Sequence, residues 1–208
     1  MPYLTSPVLP EGTLSSRPQP EIPAAGGLRL RPWRAEDAPA VHAAFQDPTL
    51  NQWHARSCDS PEEAAGWIED WHAQWTRECD AQWAVVRADT GELCGRAALR
   101  EIRLRDGVAE VAYWTVASAR GQGVARHATD ALVRWSFDET GFNRLELMHA
   151  TANTASCRVA AKAGFAVEGT RRRALLHPDG WHDMHLHARL GPVRRIKVRG
   201  GSGADRPR

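Results

Sequence analysis

The stretch Val111–Ala131, VAYWTVASARGQGVARHATDA, decides how the rest of the chain is read. Its first part is a β-rich apolar run that breaks at Ser118-Ala119-Arg120 and passes through Gly121 and Gly123. Beyond the glycines, Val124, Ala128, Ala131, Leu132 and Trp135 recur at i, i+4, i+7, i+8 and i+11, the spacing of one helix face. A strand, a glycine turn and a helix N-terminus follow one another. Such a junction presents backbone N–H groups without intrahelical partners, backed by the positive end of the helix dipole, and so suits a pyrophosphate. A side chain in the turn would hold the anion off the backbone, which is why glycine matters there.

Spacing separates three phosphate loops that could use these residues. A P-loop needs G-x-x-x-x-G-K-[ST], and no Lys-Ser or Lys-Thr follows the glycines. A dinucleotide fingerprint needs a third glycine where Arg126 stands, close to the start of a βαβ unit. The pattern [Q/R]-x-x-G-x-[G/A] is met in full by Arg120-Gly121-Gln122-Gly123-Val124-Ala125. It resembles the acyl-CoA pyrophosphate loop of the GNAT superfamily of N-acyltransferases. Ala109–Trp114 resembles the strand leading into that loop. Asn153–Ser156, Lys162–Phe165 and Glu168-Gly169 resemble the next helix and strand, and Trp181-x-Asp183 with the alternating run after it resembles the last hairpin. The whole is most similar to the RimJ/RimL branch, whose members acetylate protein N-termini, and it runs from roughly Leu28 to Leu190.

The resemblance implies an α/β (α+β) single GNAT domain with a mixed, mostly antiparallel central sheet. About six to seven strands, about four flanking helices and a splayed central parallel pair are expected, because a strand–helix–strand crossover makes its two strands parallel. Acetyl-CoA is the implied co-substrate and a primary amine the acceptor. Residues 120–126, Arg120 through Arg126, would hold the pyrophosphate, and backbone N–H groups around Thr115 and Val116 would receive the oxyanion. Asn153 reads as a helix cap, and the resemblance adds that Asn153 and Ser156 also contact the cofactor.

Amine attack requires a base, and a carboxylate with a raised pKa can serve. Glu110 matches the family glutamate on the strand entering the loop; Asp37 and Asp183 are weaker rivals. Many relatives protonate the leaving thiolate with a tyrosine, but Arg158–Lys162 contains none, so Ser156, matching the N-x-x-S serine, or water takes that role. Cys157 reads as a buried small residue with no evident histidine base. Trp53 and His54, with Asn51 and Gln52, fall where the family sets acceptor specificity. Asp183, His185 and His187 share one strand face, but the spacing matches no standard zinc pattern, so no metal is expected.

Composition sets the limits on this reading. The chain has 208 residues, 42% of them hydrophobic, enough for one domain with a proper core. A net charge of +2 gives no strong nucleic-acid or membrane signal, and no run approaches the ~20 apolar residues of a membrane span. Four cysteines without a C-x-x-C pair fit a reducing cytoplasm, and a monomer or homodimer is compatible with everything above. Residues 1–27, rich in Pro, Ser, Gly and Ala, read as a disordered leader, and residues 191–208 as a basic, disordered tail.

Leu28–Trp33 alternates as a first strand with Leu28 and Leu30 inward, and Asp37 precedes a helix over 38–45. Ser60, Pro61 and Glu63 form a capping box for a helix that carries Trp67, Trp71 and Trp75 on one face, expected to bury against the sheet. Two alternatives stand beside protein N-terminal acetylation: acetylation of a small-molecule amine, antibiotic or metabolite, and a non-catalytic acyl-CoA-binding module.

Overall fold

A computed structural model of the chain describes residues 3–193. The expected tail therefore lies, beyond residue 193, outside the described residues. Strands β1 (Ile22–Ala24) and β2 (Leu28–Pro32) open the sheet, and Leu28 and Leu30 enter the core as the alternation requires. Arg31, on the opposite parity, is buried too. Its guanidinium donates two bonds of 2.7 Å to Asp37, just ahead of α1 (Ala38–Phe45), and this closed ion pair removes Asp37 from the candidate bases.

Helix α2 (Pro48–Asn51) and helix α3 (Pro61–Thr76) follow. Ser60 Oγ accepts the Glu63 N–H at 3.1 Å, while the Glu63 carboxylate accepts the N–H of Asp59, one residue earlier than a capping box places it. The chain then forms a meander of β3 (Ala81–Arg87), β4 (Leu93–Arg103) and β5 (Val108–Thr115). Helix α4 (Val124–Arg134) runs on as a π turn over Trp135–Thr140 and stops at Gly141. Strand β6 (Arg144–Ala150), helix α5 (Thr154–Lys162) and the hairpin of β7 (Ala166–His177) and β8 (Gly180–Leu190) complete the fold.

Among the described residues the sheet order is β1-β2-β3-β4-β5-β6-β8-β7, eight strands where six or seven were expected, with five α-helices where about four were. Of these strands only β5 and β6 run parallel, and they pair just from Val108↔Arg144 to Glu110↔Glu146. Past Glu110 the two strands diverge. That splay positions the site.

One core packs α4 and α5 on the sheet face that carries Trp83, Leu99, Val111 and Leu147; the other packs α1 and α3 over Ala84, Val86 and Trp114. The α3 tryptophans divide between them. Trp75 is buried against Trp83 and Trp135, ring centroids 6.0 and 6.4 Å away. Trp67 and Trp71 are half-buried beside Phe45 and Trp33, so only one of the three indoles is sealed in as the pattern suggested.

The expected leader is not disordered over residues 3–27. Leu9, Leu14 and Ile22 enter the main core, and the Glu78 carboxylate accepts the backbone N–H groups of Gly12, Leu14 and Ser15. Trp75 and Trp83 donate their indole N–H to the carbonyls of Arg17 and Pro20. Composition pointed to disorder because few residues of this segment are apolar; Leu9, Leu14 and Ile22 are nonetheless buried, although Tyr3 and Leu4 stay exposed, and a distant carboxylate takes up part of its backbone. Among the described residues no helix is long and apolar enough to cross a membrane.

Candidate active site

A short 3₁₀ turn over Ala117–Ala119 leads into the glycine loop, where Gly121 and Gly123 both take φ 77°. Only glycine holds that left-handed backbone without strain. Gly123 caps α4 without any side-chain bond, and the first helical N–H with a backbone partner here is that of His127, to Gly123 at 2.9 Å. The N–H groups ahead of it open onto a groove of about 520 Å³ lined by the loop and by one flank of α5. Gly121 itself lines the groove, and a Cβ built on it meets no atom within 4 Å. Arg126, Arg158 and Lys162 line it as well. Free N–H groups, a dipole terminus and three cations fit a diphosphate.

Two residues of the expected loop set face elsewhere. Gln122 donates to the Ser118 carbonyl and accepts from Arg87, outside the groove lining. Val116 spends its N–H on the Cys94 carbonyl at 3.0 Å. Arg120 lines the groove, but its guanidinium pairs with Asp47, the N-cap of α2, tying the loop to the helices opposite. Burial raises the Asp47 carboxyl, and the bonds from Thr49 and Arg120 outweigh it to hold the pKa below its usual value.

Successive residues of an antiparallel strand face opposite neighbours with their backbone groups. With the Val116 N–H turned to β4, that of Thr115 turns to the gap left by β6, opposite Gly95, where the strands approach too closely for a Cβ. Of the pair expected to receive the oxyanion, Thr115 and not Val116 turns its N–H toward that gap.

Glu110 is the last residue of β5 still in register with β6, so its carboxylate lies where the splay begins. It is half-buried and lines a second cleft, about 420 Å³, that meets the groove across the splay. Burial pushes the Glu110 pKa up; Arg100, its cross-strand partner, opposes the shift, and Glu101, Glu146 and Asp80 add to it. A carboxylate so placed is a stronger base than one in water.

Trp53, His54, Tyr113, Asn153 and Ser156 border both cavities. Asn153 Oδ1 accepts the Ser156 N–H at 3.0 Å, which caps α5 and fixes the serine at the junction. Tyr113 donates to the Ser156 carbonyl at 3.5 Å, and burial pushes its hydroxyl up to about 12. His54 is held down to about 4, by burial first and then by Arg96, Arg100 and His177, and is neutral at pH 7. Trp53 meets His177 and His182 of the β7–β8 hairpin edge-on, at 6.3 and 6.2 Å. Asp183, the other rival base, accepts the N–H of Arg173 at 2.8 Å.

Residues 27–166 match the family described as the acetyltransferase (GNAT) domain. The chain belongs to the GNAT acetyltransferase family. It is an N-acetyltransferase, with acetyl-CoA as the donor that the groove fits. It is 25% identical to the uncharacterized N-acetyltransferase YoaA of Bacillus subtilis over 79% of this chain and 94% of that one. It is 30% identical to the ribosomal-protein-serine acetyltransferase of Escherichia coli, over 48% of this chain and 55% of that enzyme. Among solved structures, a RimL ribosomal L7/L12 alpha-N-protein acetyltransferase in complex with coenzyme A superposes with TM-score 0.77 at 23% identity, covering 83% of this chain and 98% of that one. The microcin C7 self-immunity acetyltransferase MccE, in complex with acetyl-CoA and AMP, gives 0.74 at 16%, covering 79% and 93%.

Several residues of this acetyltransferase were not visible as site residues in the sequence. Asp47 was missed because its partner Arg120 is far away in the chain. His127 lines the groove and packs under Gly26, where a Cβ would come within 2.7 Å of its Nδ1. Arg96 borders the cleft; burial, with Arg100 beside it, holds its pKa down to about 9. Nothing in strand alternation flags an arginine that donates to Gln82 and lies near the Trp71 ring. Cys157 is half-buried and does have histidines beside it, those of β6 and β8.

Proposed function

We propose that the enzyme acetylates the α-amino group of a protein or peptide N-terminus. The observation that carries this reading is the placement of Glu110, a half-buried carboxylate of raised pKa at the start of the splay, in an open cleft that joins the acetyl-CoA groove at Ser156. A chain end entering between the α2–α3 loop and the β7–β8 hairpin brings its ammonium to Glu110. The carboxylate takes the proton, and the freed amine attacks the thioester in a ternary complex. As the new C–N bond forms, the Thr115 N–H receives the charge on the carbonyl oxygen. The C–S bond then breaks: the nitrogen sheds its second proton, and the Ser156 hydroxyl, which meets the Tyr113 hydroxyl, passes a proton on to the departing thiolate. The E. coli relative named for a ribosomal-protein serine supports a protein acceptor, and such a reaction fits the cytoplasm.

Acetylation of a small amine is the second reading, favoured by the likeness in fold to an enzyme bound to AMP and by the tryptophans Trp53, Trp67 and Trp71 lining the cleft. A polycationic acceptor is disfavoured, since Arg56, Arg96 and Arg100 stand in the cleft beside Asp80, Glu101 and Glu110. Release of CoA thiol, measured with peptides of varied N-terminus beside polyamines, aminoglycosides and aminoacyl nucleotides, tests both. Release that depends on a free peptide N-terminus is the expected result. Release with small amines alone overturns it, and silence from a protein that still binds CoA leaves the non-catalytic binder.

A further inference from the structure

Four side chains that the acetyl transfer does not employ converge beside Ser156. His149 of β6, Cys157 of α5 and His185 and His187 of β8 each offer one donor atom, and these atoms all lie within 4.8 Å of one another. The register explains the meeting. His149 pairs with His185 and Leu147 with His187, so the three histidines share one sheet face, the face that α5 covers and from which Cys157 descends. His149 and His187 are nine-tenths buried or more; His185 and Cys157 are half-buried.

The hydrogen bonds of the cluster do not close by themselves. His149 Nδ1 lies 2.8 Å from the Ala150 carbonyl and must carry a proton there, which leaves its Nε2 a bare acceptor in the neutral ring. That atom faces His187 Nε2 at 3.0 Å. If His187 puts its proton in the gap, its own Nδ1 becomes a buried lone pair with no donor; if it does not, two lone pairs confront each other. The Nδ1 atoms of both His185 and His187 are buried without a partner.

We infer that these four residues form a tetrahedral site for a zinc-class divalent cation, bound by three imidazoles and the Cys157 thiolate. Nitrogen and sulfur donors in a four-coordinate arrangement select zinc among the common divalent ions, and four protein ligands leave no open position, so the site is structural. The Ala150 carbonyl on His149 is the kind of outer partner that fixes a ligating tautomer. The ion would pin the first turn of α5, with Asn153 and Ser156, to β6 and β8. Asp183 is not among the ligands, being held by Arg173. Sequence spacing could not reveal the set, because its members come from three elements.

The test is Co²⁺ titration of the chelator-stripped protein, followed by displacement with Zn²⁺. One equivalent is expected to bind, with the visible d–d bands of a tetrahedral ion and a near-ultraviolet thiolate charge-transfer band. Cys157→Ser should abolish the charge-transfer band. His187→Gln should weaken Co²⁺ binding beyond the roughly 10–100-fold typical of an outer-shell change. His182→Ala, which alters the other histidine group at His177, Asp179 and His182, should leave the spectrum untouched. No cobalt uptake, a charge-transfer band surviving in folded Cys157→Ser, or a spectrum lost with His182→Ala would each overturn the assignment.

Discussion

The two cavities that meet at Ser156 are built of different material. The groove is largely backbone: a left-handed glycine pair, the unsatisfied N–H groups of α4 and a strand N–H turned into a gap. The cleft is side chains, contributed by α1, the α2–α3 loop, α3 and the strands β3 to β8. A backbone site depends on which residues are absent, a side-chain site on which are present. The groove should therefore tolerate most substitutions outside its glycines, while the cleft should respond residue by residue, with effects confined to the acceptor.

The largest effect is expected from Glu110→Gln, which keeps the shape and removes the base. A general base is worth about 10²–10⁴ in rate, so kcat should fall by that much with KM for acetyl-CoA unchanged. In the parent enzyme kcat/KM should be lost as pH falls through the Glu110 pKa, which burial has raised above the usual carboxylate value. In the variant that limb should be absent. Stability moves the other way. A carboxyl whose pKa is raised on folding contributes stability at low pH that is lost as pH rises through the folded value, so Glu110→Gln should not weaken the fold at pH 7. A full kcat in the variant would remove Glu110 from the mechanism.

Gly121→Ala tests the backbone half. A left-handed alanine costs about 1–2 kcal/mol and would shift the loop that lines the groove, so KM for acetyl-CoA should rise about tenfold or more with little change in acceptor KM. Arg96→Gln is the counterpart in the cleft. Loss of a charged donor facing the peptide should raise acceptor KM about tenfold and leave acetyl-CoA alone. If either variant moves both constants equally, the two cavities are not separable.

The same contrast decides what could be read from the sequence. The groove was legible because a strand, two glycines and an amphipathic helix are consecutive, and Gly121, Gly123 and Glu110 carry a local pattern. Even there, the direction of single N–H groups was not: Val116 and Thr115 differ only in which neighbour each faces, which the β4–β5 register sets. The cleft was barely legible. Trp53 and His54 could be placed by their loop, but Arg96 and the β7–β8 histidines reach the site through strand pairing and hairpin packing. Trp67 and Trp75 share one helix face in the pattern and end in different cores, Trp75 against Trp83 and Trp135 and Trp67 against Phe45.

The N-terminal segment offers the smallest expected effect on turnover, since Glu78 lines neither cavity. Two of its three backbone bonds, from Leu14 and Ser15, reach Oε1 and the third, from Gly12, reaches Oε2. Glu78→Gln can keep the first two, but it then turns an amide N–H₂ toward the Gly12 N–H, and one buried donor loses its acceptor. That costs about 1–3 kcal/mol, readable as a lower urea midpoint at pH 7, while kcat and both KM values stay at the parent level. Burial by itself would raise the Glu78 carboxyl, but the three N–H bonds prevail and hold its pKa below the usual value. Its stability contribution is therefore present above the unfolded pKa and lost as pH falls through the folded one, so parent and variant should converge in acid. A midpoint unchanged by Glu78→Gln would mean that this carboxylate does not hold residues 12–15, and a fall in kcat would mean that the segment reaches the site.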